Sequence, residues 1–270
     1  MPADSISEPV KTVSGYLEQV KFIQIKWNFK PAQELWFRGE ERNFNTKLFS
    51  KVYRPDHPTD FLLRLENEVL EGFQRRASHL CSEDIGDRFE SYMQMQHHGG
   101  PTRLLDWSDG ALIALHFAVK RTFDDSDPRF VYVVDPNWLN DETLPETEPE
   151  SDASDEPDED DLLVQLYLPD EVDDIGDIPE KPLVLEFHQT TRRMGAQRSR
   201  FVLCGRDRHW LPSKINEHGS RLTVISIADG AAPSLREELR VCGITESVIF
   251  PDLDGLGRET TDIWRTLLTV

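Results

Sequence analysis

The run His97-His98-Gly99-Gly100-Pro101-Thr102-Arg103-Leu104-Leu105-Asp106-Trp107 sets polar chemistry against an apolar wall, because Ala111 to Val119 follows almost at once. An imidazole exchanges protons near neutrality, and a guanidinium grips phosphate or carboxylate with a planar fork. Unpaired charge is costly beside a low-dielectric interior, so Arg103 and Asp106 each require a partner or a ligand. Neighbouring side chains on a helix diverge by roughly 100°. One of His97 and His98, therefore, and not both, can enter a given site. A metal or acid-base hydrolase built on His97, His98 and Asp106 would draw its second ligand from an unrelated segment such as His188 or His209.

The flanking elements decide how these groups are presented. Arg88 to Gln96 is helix-permissive, and Gly-Gly-Pro cannot continue it, so the histidines sit at a helix C-terminus. Ser108 or Asp109 caps a second helix running from about Gly110 to Phe123, which is apolar on nearly every face up to Val119 and belongs in the core. Thr102 to Trp107 is then a short extended link. Upstream, Val13 to Asn28 reads as a helix, Leu35 to Arg38 as a strand ending at Arg38, and Asp60 to Cys81 as an amphipathic helix. Downstream strands are expected at Arg129 to Asp135, Leu183 to Phe187, Arg200 to Cys204 and Arg221 to Ile227. Helices follow at Pro233 to Val241 and Arg258 to Leu268. Strands and helices mix without strict alternation, which points to an α+β fold with a small sheet flanked by helices.

Trp36-Phe37-Arg38-Gly39-Glu40, followed by Leu48-Phe49-Ser50-Lys51-Val52-Tyr53-Arg54 and the His-His-Gly-Gly-Pro-Thr-Arg-Leu-Leu-Asp-Trp block, resembles the FRG domain, named for its Phe-Arg-Gly motif. Arg192, Gln197 and Phe201, then Gly243 to Glu246 and Phe250 to Leu253, are similar to the same pattern, so the resemblance runs from about Leu35 to the end. The family often carries Gln after Phe-Arg-Gly, where this chain has Glu40. The expected organisation is a helical lead-in over 1–30 and an FRG-type domain over 31–270.

The polar order is also similar to that of ADP-ribosyltransferases, which have an early Arg or His strand, a Ser or Thr strand feeding an Ala- and Phe-bearing helix, and a late Glu or Gln. On that resemblance the fold would be ADP-ribosyltransferase-like and the ligand a nucleotide such as NAD. Arg38 would hold a phosphate or ribose, and Thr102 to Ser108 would wall the nicotinamide, with Trp107 stacking on it. Gln197 or Glu186 would take the late polar position. The candidate site is thus Arg38, His98, Thr102, Arg103, Asp106, Trp107, Ser108 and Gln197. A different reading of the same residues is a non-catalytic interaction module, in which Arg38, Arg103 and Asp106 form a buried ion-pair network and His98 caps a carbonyl. Trp36 and Trp107 suit core packing as well as ligand stacking.

Several function classes are excluded by what is missing. There is no Walker-type glycine loop, no Gly-x-Gly-x-x-Gly, no His-Glu-x-x-His and no Gly-x-Ser-x-Gly. Cys81, Cys204 and Cys242 are far apart and suggest neither a disulfide framework nor a zinc ribbon, so no metal is expected. His116, alone in an apolar helix, reads as a satisfied core or edge histidine, and Cys204 as an inert buried thiol. The net charge is -20, but twelve of the acidic residues fall in 141–161, where there is no Lys or Arg, so the rest of the chain carries only -8. That segment holds three prolines and almost no large apolar side chain, and is expected to stay a solvated loop. The acidity argues against direct nucleic-acid binding, which requires clustered Lys and Arg. With no apolar leader and no run of about 18 apolar residues, a cytoplasmic protein with no membrane contact is expected, its partner a small nucleotide or another protein.

Overall fold

A computed structural model describes residues 8–30, 32–42, 46–77, 80, 87–120, 127–143, 162–168, 172–185 and 191–268. Six strands form one antiparallel sheet: β1 Trp36–Glu40, β2 Leu104–Ser108, β3 Arg129–Val134, β4 Leu183–Leu185, β5 Ser199–Leu203 and β6 Leu222–Ile227, in the order β4-β5-β2-β1-β3-β6. Among the described residues the helices are α1 Val13–Lys26, α2 Thr59–Ala77, α3 Arg88–His97, α4 Ala111–Val119, α5 Pro136–Thr143, α6 Leu162–Tyr167, α7 Arg192–Gln197, α8 Trp210–Ser213, α9 Ala232–Val241, α10 Glu246–Ile249 and α11 Leu253–Leu267. The α+β architecture is as expected from the mixed order of the elements.

Alternation along the strands divides the core in two. Phe37, Val131, Val133, Ile225 and Ile227 pack with Tyr16, Val20 and Ile23 of α1, Ala114 and Ala118 of α4, and Leu235 and Leu239 of α9. Trp36, Tyr132 and Val134 pack on the opposite side with Leu62, Leu63 and Leu70 of α2 and Phe89, Tyr92 and Met95 of α3. The N-terminal segment is tied into this body. Val10 bridges Ile227 beside β6, and the Tyr16 hydroxyl donates to the Ala111 carbonyl at 2.9 Å.

The sheet corrects two expectations. Thr102 to Trp107 is no mere link, since Leu104–Ser108 is an interior strand paired with β5 over its whole length. Both its faces meet apolar neighbours, so Leu104, Leu105 and Trp107 hide the period-two signal. β1 does not end at Arg38 but continues to Glu40, because Arg38, Gly39 and Glu40 pair with Tyr132, Val131 and Phe130. Two helix boundaries move as well. Gly110, not Ser108 or Asp109, is the N-cap of α4, although the Ser108 hydroxyl accepts the Gly110 N–H at 3.0 Å. Helix α11 starts five residues before Arg258, capped by Asp252, whose carboxylate accepts Gly255 N–H at 2.6 Å. Asp141 to Thr143, the start of the acidic segment, close α5. The rest of that segment, with Glu186, His188 and Cys81, lies outside the described residues.

Candidate functional site

Two neighbouring polar groups occupy the sheet face under α2 and α3. The inner one is centred on Arg103, 1% exposed just before β2. Its Nε donates to Glu66 Oε2 at 2.7 Å, its backbone N–H to Glu66 Oε1 at 2.9 Å, its Nη1 to the Cys204 carbonyl at 3.3 Å, and its Nη2 to the Tyr167 carbonyl. The Tyr92 hydroxyl donates to Glu66 Oε1 at 2.5 Å. Burial alone would lower the Arg103 guanidinium, but Glu66, Tyr92 and Tyr53 outweigh it and hold the charge in place. Burial, then Glu66, pushes Tyr92 well up. A guanidinium so enclosed fixes α2, α3, α6 and the β2–β5 pair, and does not reach a ligand.

The outer group opens toward solvent around Arg38 at the middle of β1. Its Nη1 donates to the Asp106 carbonyl at 2.6 Å, and its Nε stands 3.5 Å from Glu40 Oε1 without a hydrogen bond. The Asp106 carboxylate is exposed and accepts from Gln96 Nε2 at 3.0 and 3.1 Å, while Gln96 Oε1 accepts the hydroxyl of fully buried Thr102. Arg54 lies alongside, and burial, then the nearby Arg38, lowers its guanidinium against the opposing pull of Glu40 and Asp106. Glu40 is itself buried, and burial, then Glu40, pushes the Tyr132 phenol up. Local backbone presents these groups. Helix α3 closes on His98 with Gly99 at φ +79°, Gly99 N–H bonding to Gln96 O at 2.9 Å and Gly100 N–H to Met95 O at 2.7 Å. The chain thereby turns Gln96 and Thr102 toward Asp106.

The remaining candidates do not join them. Gln197 donates to the Ile249 carbonyl at 3.4 Å, and its own carbonyl accepts the Ser108 hydroxyl at 2.7 Å, at the other end of β2. Trp107 is 3% exposed and packs in the core with Trp36, a burial that leaves it no open face for stacking. His98 is exposed, its ring edge-on to His97 at 5.1 Å, and it ends the helix through its backbone N–H to Gln94 O and not by capping with its ring. His209 stands elsewhere, with its ring 5.2 Å from Phe49. His116 is satisfied by Glu246 at 3.2 Å, and burial pushes the Cys204 thiol up to about 12. Among the described residues no group of three or more His, Cys, Asp or Glu could hold a metal ion, and no helix is long and apolar enough to cross a membrane.

Glu66 and Gln96 were not singled out from the sequence, and Glu40 and Arg54 entered only as parts of motifs, Glu40 as a departure from the family's Gln. A signal existed for Glu66, which occupies the i+4 step between Leu62 and Leu70 on the core face of α2, a position that should have been apolar.

The sequence motifs on these two groups, Phe37-Arg38-Gly39 and Thr102 to Trp107, fall inside one family match: the FRG domain model covers residues 33–127. The chain carries an FRG domain. No curated protein and no solved structure matches it. Much of the FRG motif is architectural here. A Cβ on Gly39 would stand 2.0 Å from the Ala114 carbonyl oxygen, so the motif glycine lets α4 lie directly on β1. Phe37 fills the core beneath α4, and of the three motif residues Arg38 alone faces the polar group.

Proposed function

We propose that the FRG domain binds a phosphate-bearing nucleotide of the NAD class on the surface formed by Arg38, Arg54, Gln96 and Asp106. The observation that supports this is the Arg38 guanidinium itself, anchored by Nη1 to the Asp106 carbonyl at 2.6 Å and held by Nε 3.5 Å from Glu40, with a second guanidinium next to it. A rigidly held arginine with a second guanidinium beside it suits the planar oxygens of a phosphate. The exposed Asp106 carboxylate offers acceptors to a ribose hydroxyl. Whether such binding leads to ADP-ribosyl transfer or glycohydrolysis turns on a carboxylate reaching the ribose. Asp106 is the candidate, since Gln197 bonds elsewhere. The test is thermal stability and nicotinamide release for the full chain with NAD, beside Arg38→Ala and Arg38→Lys, each compared with its own unliganded midpoint. A midpoint rise lost in Arg38→Ala and partly kept in Arg38→Lys is expected, because a ligand bound only to the folded state stabilises by mass action. No rise at millimolar NAD overturns the reading.

A second reading, a non-catalytic interaction module, is favoured by the complete burial of Arg103 with Glu66 and Tyr92. It predicts no nucleotide effect on stability.

A further inference from the structure

Helix α11 turns its apolar side away from the described residues of its own chain. Its buried or half-buried positions are Gly255, Glu259 and Asp262. Glu259 Oε2 accepts the Ser247 N–H at 2.8 Å, Arg258 Nε donates to Glu246 Oε1 at 2.6 Å, and a Cβ on Gly255 would stand 2.0 Å from the Phe250 carbonyl oxygen. Leu253, Leu256, Ile263, Trp264 and Leu267 are between 51% and 85% exposed. At 100° per residue they centre about 120° round the helix from the attached side. Stray surface leucines are ordinary, but a continuous stripe of this kind marks an interface.

The spacing identifies the kind of occupant. Leu253, Leu256, Thr260, Ile263 and Leu267 recur at alternating steps of three and four, the seam that meshes with another helix through knobs into holes. A second copy of α11 fits that seam when it runs antiparallel. Leu256 then meets Leu267, and Thr260 meets Ile263, on both sides of a twofold axis. In this register Trp264 falls against position 257 of the second copy. That position is a glycine, with nothing within 4 Å of where a Cβ would be. The largest side chain of the helix therefore faces its emptiest surface, twice per pair. A parallel pair would instead set Trp264 against Glu259, which is committed to Ser247.

We propose that the protein self-associates through α11 as an antiparallel two-helix pair. Fifteen residues span only about 22 Å, so a weak dimer dissociating at about micromolar concentration is expected, not an obligate one. Sedimentation of the full chain across micromolar concentrations tests this, with circular dichroism as the check on folding. Ile263→Glu should be monomeric throughout, and Trp264→Ala should weaken the dimer about tenfold, as loss of a buried aromatic anchor does. Gly257→Leu separates specific pairing from general stickiness. It enlarges an exposed apolar face, yet should weaken the dimer because it fills the space Trp264 requires, and Gly257→Leu with Trp264→Ala should recover part of the loss. A wild-type monomer at every concentration, a dimer indifferent to Ile263→Glu, or a dimer tightened by Gly257→Leu overturns the proposal.

Discussion

At the scale of single residues, the FRG domain separates an arginine that builds the fold from one that faces outward. Arg103 and Glu66 neutralise each other in the core, and every nitrogen of that guanidinium has a partner within the chain. Removing one charge strands the other, so Glu66→Gln should cost about 3–5 kcal/mol in urea unfolding. Glu66→Gln with Arg103→Met should recover much of that; if the double variant is no better than the single, the pair is not the source of the cost. A second residue-scale prediction concerns Glu246. Burial alone would raise its carboxyl, but His116, Arg258 and Lys120 hold it at about 2, below the ordinary 4.5. The folded-state value lies below the unfolded one, so this contribution is fully present above pH 4.5 and is lost as pH falls from there toward 2. Midpoints measured across that window should fall less steeply for Glu246→Gln than for the wild type. Parallel curves would show that Glu246 is not responsible.

At the scale of elements, helix α4 and strand β1 are packed more closely than side chains ordinarily allow. Ala111, Ala114 and Ala118 supply a small-residue surface on α4, and Gly39 completes it from the strand. Gly39→Ala should therefore cost about 3 kcal/mol, since the obstructing atoms are backbone and have no rotamer to escape into. A change below about 0.5 kcal/mol, the level of an innocuous surface substitution, would mean that the helix can ride outward freely. The apolar run Ala111 to Val119 announced a core helix, and the structure agrees. The Thr102 to Trp107 segment was harder to read, because a strand flanked by apolar material on both sides loses the alternation that identifies strands.

At the scale of the whole molecule, the family match stops at residue 127, but the sheet does not. β1 and β2 meet at the single registered pair Phe37 and Ser108, while β1 pairs with β3 over five positions and β2 with β5 over five. A fragment limited to 33–127 would leave both strands as open edges with half their core removed. It should show no cooperative urea transition, whereas the full chain should. A fragment that unfolds cooperatively would mean that residues 33–127 are a self-sufficient unit. The sequence by itself determined the mixed α+β composition, the FRG motif, the core helix α4 and the polar character of the 97–107 block, since all of these follow from local spacing and residue type. Only the tertiary structure decided that Arg103 is enclosed while Arg38 faces outward, that Gln197 bonds to Ile249 at the far end of β2, and that Glu66 completes the buried pair. These assignments depend on which strand lies beside which and on the direction each side chain takes from the sheet, and pairings between residues 37 to 101 positions apart in the chain leave no trace in local periodicity.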